Sequence, residues 1–461
     1  MSGLLRPFAY DVISRRDGLR GWRSHRASFR RLVSEDAAAI ERQSLAALGR
    51  LLAHAYADVP FYRKKWASMG YVPTPQVTLE DLRRLPLVTK ADIRERKAEM
   101  IATSISKASL HLDYTGGTTG TQTSFYRDDA CRVARVGRQW GVLERCGYTP
   151  GDKRGLIWGA HADLDMSGIG RFKQWLRRYA SADEALCCTV MRRDEMLAYH
   201  RRLWDFRPKV IYGYPNAIEQ FATFVERHVA PFKVERILCT AEKLHDRQRE
   251  LFARVFGGEV FNLYCSREHG CVAFECQRHD RLHVDAGSVI VEILRNGRPA
   301  APGESGEIVI TDLLNYGMPF IRYVTGDVAT ASDGACDCGC PLPTFSKLDG
   351  RMADTLYRPD GSTVAGLMLD DLFMDLPAIT HAQFVQHDKT SIDVNVVAPS
   401  GASDDLRAAM VAEVRSIMGP AVEVRLHFVP DIPRNPRSGK YQFVICTIPA
   451  RNAAHAVSIC S

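Results

Sequence analysis

Apolar positions in the first hundred residues recur at helical spacing. The stretch "DAAAIERQSLAALGRLLAHAYADV" predicts an amphipathic helix that stops at Pro60, and "RLPLVTKADIRERKAEM" offers Thr89 as the N-cap of another. From Ala108 to Phe345 the pattern changes. Short apolar runs of strand character ("RGLIWGA", "PKVIYGYP", "VERILCTA", "EVFNLYC", "VIVEIL", "EIVITDL") alternate with helical segments such as "AIEQFATFVERHV" and "HDRQRELFARVFG", which predicts α/β sheets covered by helices. After "KLDGR" two hairpin-like stretches, "DTLYRPDGSTV" and "HAQFVQHDKTSIDVNVVAP", precede a helix capped by Ser403 and the strand "VEVRLHFV". The expected fold is therefore α/β: a large multi-sheet N-terminal domain over residues 1–349, with a helical lead-in, and a smaller α+β domain over residues 350–461 hinged near Gly350. The tail "RNAAHAVSICS" carries no period.

Composition narrows the function classes. At 461 residues and 46% hydrophobic, the chain can fill more than one core. The net charge of +7 is modest, and the arginines of "RSHRASFRRL" do not form a stripe interleaved with aromatics, so nucleic acid is not an expected partner; anionic small molecules suit the balance better. No apolar run has the length of a membrane span. The first residues, "MSGLLRPFAYDVISRRDG", lack a signal-peptide core, so the 13 cysteines point to a reducing, cytoplasmic compartment.

Candidate chemistry begins at "YTGGTTGT". Backbone N–H groups around Gly116, Gly117 and Gly120 can converge on phosphate oxygens, and Thr115, Thr118 and Thr119 can add hydroxyl donors. The same stretch also fits a plain glycine-rich turn. It is not a G-x-x-x-x-G-K-[ST] loop, because Thr121 and Gln122 follow Gly120. Glu268 in "YCSREHG" stands where a carboxylate can hold Mg²⁺, Asp327 in "IRYVTGD" follows a strand and a glycine where it can accept ribose hydroxyls, and Lys440 in "NPRSGKYQF" rides a glycine-hinged loop. Read singly, each also fits an ordinary surface position. "FECQRHDRLHVD" and "ACDCGCPLP" bring Cys276, His279, His283, Cys336, Cys338 and Cys340. Cys276, His283, Cys336 and Cys338 are the chosen ligands of a closed, structural Zn²⁺ site, with His279 and Cys340 as alternates; the plain alternative is unpaired thiols in two loops.

The ordered set "YTGGTTGT", "YCSRE", "IRYVTGD", "LDGR" and "RSGK" resembles the adenylate-forming superfamily of acyl-CoA ligases, luciferases and peptide-synthetase adenylation domains. A closer resemblance, from Arg50 to Cys446, is to the phenylacetate–CoA ligase branch and its capsule-biosynthesis relatives, carried by "LLAHAYADVPFYRKKW", "LEDLRRLPLVTKADIRE", "VFNLYCSREHGCVAFEC" and "CDCGCPLP". What the resemblance implies is an ATP-dependent ligase that converts a small-molecule carboxylic acid to an acyl-adenylate and passes the acyl group to a thiol, coenzyme A first. It further implies that Thr115 to Thr121 hold the ATP phosphates, Tyr264 lies against adenine, Glu268 binds Mg²⁺, Asp327 and Arg351 contact ribose, and Lys440 bridges the carboxylate and α-phosphate. Tyr212, Tyr214 and His161 fall where relatives build the acyl pocket, some relatives carry such a zinc, and homodimerisation is left open. The chain departs from relatives at Thr121, where they often have lysine or glutamate, and two residues after Arg351, where they commonly have aspartate or lysine and this chain has Ala353, followed by Asp354. Two other functions compete: an adenylating enzyme with an amine or carrier-protein acceptor, and a zinc-stabilised nucleotide-binding protein without turnover.

Overall fold

The computed structural model describes residues 10–114 (other than 13 and 16), 123–158, 182–188 and 191–351, and beyond them 355–360, 363–365, 369, 379, 381–398, 403–433 and 443–448. One compact unit runs through Gly350 and a second takes up at Arg351. The first unit opens with helices α1 (Trp22–Leu32) and α2 (Ala37–Asp58). Asp36 caps α2 by accepting the Ala39 N–H at 2.6 Å, and Leu48, Leu51, Leu52 and Ala55 share its buried face. Pro60 does not simply stop a helix, as the pattern suggests. The preceding Val59 is extended, as a residue before proline prefers, and Pro60 then occupies the first turn of α3 (Pro60–Ala67), where its missing N–H costs nothing. Capping boxes at Thr78/Asp81 and Thr89/Asp92 start α4 (Leu79–Arg84) and α5 (Lys90–Arg96).

β1 (Leu110–Tyr114) pairs antiparallel with β2 (Ser124–Asp128), from Leu110 opposite Asp128 to Tyr114 opposite Ser124. The polar run after the glycine loop is thus a strand, held by one fully buried anchor, Phe125, packed edge-on to Phe320. Asp128 caps α6 (Asp129–Arg145): Oδ1 accepts the Cys131 N–H at 2.7 Å while Oδ2 accepts those of Tyr316 and Gly317 at 2.9 and 2.7 Å.

A parallel core follows. β3 (Arg154–Trp158), β4 (Asp183–Cys187), α7 (Arg193–Phe206), β5 (Val210–Gly213), α8 (Pro215–His228), β6 (Arg236–Thr240), α9 (Asp246–Phe256) and β7 (Glu259–Ser266) place the strands in the order β4-β3-β5-β6-β7, each pair parallel. Every residue of β5 is buried, as expected of a parallel strand with both faces covered. The strand–helix alternation ends at α9. β8 (Gly270–Glu275), β9 (Leu282–Val284), β10 (Val289–Arg295), β11 (Arg298–Pro299), β12 (Ser305–Asp312), β13 (Tyr323–Ala331) and β14 (Thr344–Arg351) extend the same sheet in the order β7-β8-β9-β14-β13-β12-β10-β11. β8 pairs antiparallel with β7 and β9, β14 with β9, and β12 with β10 and β13, because connections too short for a crossover helix turn the chain back.

In the second unit β15 (Thr355–Tyr357) and β16 (Thr363–Ala365) form a hairpin. β17 (His381–Gln386), β18 (Ser391–Val397), β19 (Glu423–Phe428) and β20 (Val444–Cys446) form a sheet in the order β19-β18-β17-β20, packed on α10 (Asp404–Met418) through Phe384, Val394, Met410 and Val414. Ser403 Oγ caps α10 by accepting the Leu406 N–H at 3.2 Å.

Candidate functional site

Parallel strands present their carboxyl ends on one edge, the usual place for a ligand in an open α/β sheet. β3 ends on Trp158 and β5 is followed by Tyr214. The Trp158 ring lies 5.7 Å from that of Tyr212, nearly parallel at 26°, and 4.6 Å from that of Tyr214. Both tyrosines are buried, and burial pushes the Tyr212 phenol well above its ordinary value, so it stays protonated. Between them Gly213 is required by packing: a Cβ there would stand 2.4 Å from the Ile157 carbonyl oxygen.

Glu268 sits in the tight turn from β7 to β8, where it is 9% exposed rather than solvated. Tyr323 approaches it with its hydroxyl 3.5 Å from Oε1. The turn is pinned by Ser266, whose Oγ accepts the His269 N–H at 3.0 Å and lies 3.1 Å from Nδ1 of the same ring. His269 is packed between Phe320 and Tyr323, and burial holds its pKa well below the usual range, so the ring is neutral.

Asp327 does not follow a strand, as its motif suggests; it lies inside β13, directly after Gly326 at φ +79°. The glycine turns the backbone within the strand, and the Asp327 carboxylate meets Tyr264 of β7, whose O–H donates to Oδ2 at 2.6 Å. Tyr264 and Asp327, predicted from separate motifs, are hydrogen-bonded neighbours. β13 is braced by Arg322, a residue passed over in the sequence reading. Its backbone is left-handed (φ 53°), its N–H donates to Thr311 Oγ1 at 3.0 Å, and its guanidinium grips both oxygens of Glu292 at 3.0 Å. An arginine in the apolar run that leads into β13, with a glutamate in the apolar run of β10, is the signal that could have found it.

Cys276, His283, Cys336 and Cys338 converge: one ligand atom from each lies within 4.8 Å of all the others. Cys276 Sγ is 3.7 Å from Cys336 Sγ, and Cys338 Sγ is 3.5 Å from His283 Nε2. A tetrahedral Zn²⁺ with ordinary bond lengths sets its ligands about 3.8 Å apart for two sulfurs and about 3.6 Å for sulfur and nitrogen, so the donor set fits that ion. Burial lowers His283 to about 4, which leaves the imidazole neutral, the form that ligates, and raises the Cys276 thiol to about 12, a cost that a bound cation would reverse. His279 stands apart, bonded to Glu275 and Glu259 at 3.3 and 3.2 Å. Cys340 contributes only its N–H, donated to Cys338 Sγ at 3.4 Å.

Residues 115–122, His161, residues 352–354, Lys440 and the side chain of Arg351 lie outside the described residues.

Residues 356–447 match the family model of the CapK C-terminal domain. Over 364 residues the chain is 28% identical to a phenylacetate–coenzyme A ligase of Thermus thermophilus, covering 75% of this chain and 78% of that protein. It is 25% identical over 381 residues to the protein CapK of Staphylococcus aureus, covering 81% and 82%. A crystal structure of 2-hydroxyisobutyryl-CoA ligase, in the postadenylation state with R3-HIB-AMP, superposes with a TM-score of 0.72 over 89% of this chain and 90% of that one, at 20% identity. The chain is thus similar to phenylacetate–CoA ligases and to CapK, and its fold is that of an adenylate-forming CoA ligase.

Proposed function

We propose that the protein is an adenylate-forming ligase that activates a carboxylic acid with ATP, releases pyrophosphate and transfers the acyl group to coenzyme A. The observation that carries the reading is the Tyr264–Asp327 hydrogen bond, with buried Glu268 four residues beyond Tyr264 in the β7–β8 turn, in a chain similar to phenylacetate–CoA ligases. In this reading residues 1–349 are the adenylation domain, and residues 350–461 are a mobile domain that delivers Lys440. Asp327, fixed by Tyr264, accepts hydrogen bonds from the ribose hydroxyls, and Arg351 contacts the ribose as a donor; the Tyr264 ring lies along adenine; the glycines and threonines of residues 115–120 hold phosphates. Tyr212, Tyr214 and His161 border the acid. The carboxylate oxygen attacks the α-phosphorus while Lys440 offsets the repulsion between the two anions, and orientation of the bound pair supplies much of the remaining rate. Glu268 is the residue that would hold Mg²⁺, which neutralises phosphate charge when bound.

A Zn²⁺ held by Cys276, His283, Cys336 and Cys338 would be structural, since four protein ligands would complete its shell and leave no place for water. No helix among the described residues is long and apolar enough to cross a membrane, and a cytoplasmic location suits a protein with thiolate ligands. A second reading keeps adenylation and changes the acceptor to an amine or carrier protein. The similarity to CapK, which extends over 81% of this chain, keeps this reading beside the first.

Both readings are tested by acid-dependent ATP–pyrophosphate exchange, screened over aryl, fatty and amino acids, with product formation then measured with and without coenzyme A. Lys440→Ala is expected to slow adenylation by about a hundredfold or more while a supplied acyl-adenylate is still transferred. Equal loss in both half-reactions would refute the role given to Lys440, and exchange with no acid would refute the function.

A further inference from the structure

Four arginines gather between the β1–β2 hairpin and the turn that carries Glu268. Arg127 is the penultimate residue of β2, and Arg132 and Arg135 lie on α6, which begins directly after that strand. Arg135 reaches across to the β7–β8 turn. Its Nη1 donates to the Arg267 carbonyl oxygen at 3.5 Å, its Nη2 pairs with Asp312, and its stem passes so close to Gly270 that a Cβ there would lie 3.4 Å from Cδ. This one buried side chain ties the hairpin side of the cluster to Arg267.

The grouping is electrostatically uncomfortable. Burial first, then the neighbouring Arg135, Arg267 and Arg132, hold the Arg127 guanidinium down to about 10. Arg127 pairs with Asp113 and Arg135 with Asp312, yet the Nε of each is buried with no acceptor among the described residues. Arg127 remains partly open at 23% side-chain exposure, and Arg267 is exposed, so an anion can reach both. Crowded cations with unanswered N–H groups, next to a carboxylate suited to a divalent ion, describe a polyanion site.

We propose that Arg127 and Arg267 form a diphosphate subsite that holds the β- and γ-phosphates of the nucleotide and the pyrophosphate that leaves. The inference rests on the adenylating function above. In that step the acid's carboxylate oxygen bonds to the α-phosphorus, the bond from that phosphorus to the bridging oxygen breaks, and pyrophosphate departs with the electron pair. Charge therefore grows on the leaving group, where planar guanidinium forks match phosphate oxygens two at a time. Arg135 acts through Arg267 and is a positioning residue.

The test is calorimetric titration of the full chain with inorganic pyrophosphate in the presence of Mg²⁺, and separately with AMP, alongside the Michaelis constant for pyrophosphate in the exchange assay. Arg267→Gln and Arg127→Gln are expected to weaken pyrophosphate binding about tenfold or more and to raise its Michaelis constant in proportion, with AMP binding changed less than about twofold. Arg267→Lys recovers part of the loss, since it restores charge without the fork. Should Arg127→Gln fold poorly, exposed Arg267 carries the test by itself. Pyrophosphate affinity within about twofold of the parent in Arg267→Gln overturns the subsite, as does a parent that binds no pyrophosphate. A parent that binds pyrophosphate through these arginines but exchanges with no acid would instead overturn the adenylating reading and leave the subsite standing.

Discussion

Tyr264 shows what a single side chain contributes here. Its O–H reaches Asp327 Oδ2 at 2.6 Å in a setting where both groups are buried, so the bond fixes the carboxylate more than it stabilises the fold. Tyr264→Phe keeps the ring and deletes only the hydroxyl. A lost hydrogen bond to a charged acceptor is worth about 1.5–3 kcal/mol, so the variant should raise the Michaelis constant for ATP by about tenfold, with little change in melting temperature. Kinetics on a folded variant checks it; an unchanged constant would mean that Asp327 does not need its partner. Motifs made Glu268, Asp327 and Tyr264 legible as separate candidates. What they could not reveal is that Tyr264 and Asp327 touch, or that Glu268 is buried, because both depend on β13 crossing near β7. The arginines were harder still: Arg127, Arg135 and Arg322 look like surface charge in a string, and only tertiary structure shows Arg135 and Arg322 enclosed and Arg127 half-buried.

At the scale of elements, periodicity reached far where burial is one-sided and failed where local chemistry decides. α2, α8, α9 and the parallel strands follow the apolar pattern closely. β2 was hidden because only Phe125 and Asp128 of its residues are buried, and the reach of the α/β alternation was overestimated because antiparallel and parallel strands carry similar apolar runs. Asp128 shows how one residue joins elements that no pattern links. It starts α6 and simultaneously anchors the segment at Tyr316 and Gly317, accepting three backbone N–H groups. Asp128→Ala would leave those three donors without their acceptor at a site that is 5% exposed, which costs roughly 3 kcal/mol. Thermal unfolding should show a drop of several degrees, partly recovered in Asp128→Asn, which retains one acceptor. Equal stability of alanine and parent would show that water replaces the carboxylate.

Across the whole molecule, the four converging ligands link parts of the sheet that sequence keeps far apart. Cys276 and His283 flank the β8–β9 connection, while Cys336 and Cys338 belong to the link between β13 and β14, and β14 pairs with β9 at Thr344 opposite His283. A metal at this point would close a loop some sixty residues long that contains Asp327, on the order of 4 kcal/mol of chain entropy by analogy with a covalent cross-link. A metal bound there would therefore support the segment that carries Asp327 through stability, without entering the proposed chemistry. Purified protein should contain about one zinc per chain, and chelation should lower the unfolding temperature reversibly. Cys336→Ser should do the same while the turnover of molecules still folded stays within about twofold of the parent, since a filled tetrahedral site offers no position to substrate. Elemental analysis and thermal unfolding settle the two halves separately. Metal-free protein of undiminished stability would reduce the cluster to packed thiols, whereas a turnover loss larger than the loss of folded protein would mean that the metal acts in the reaction.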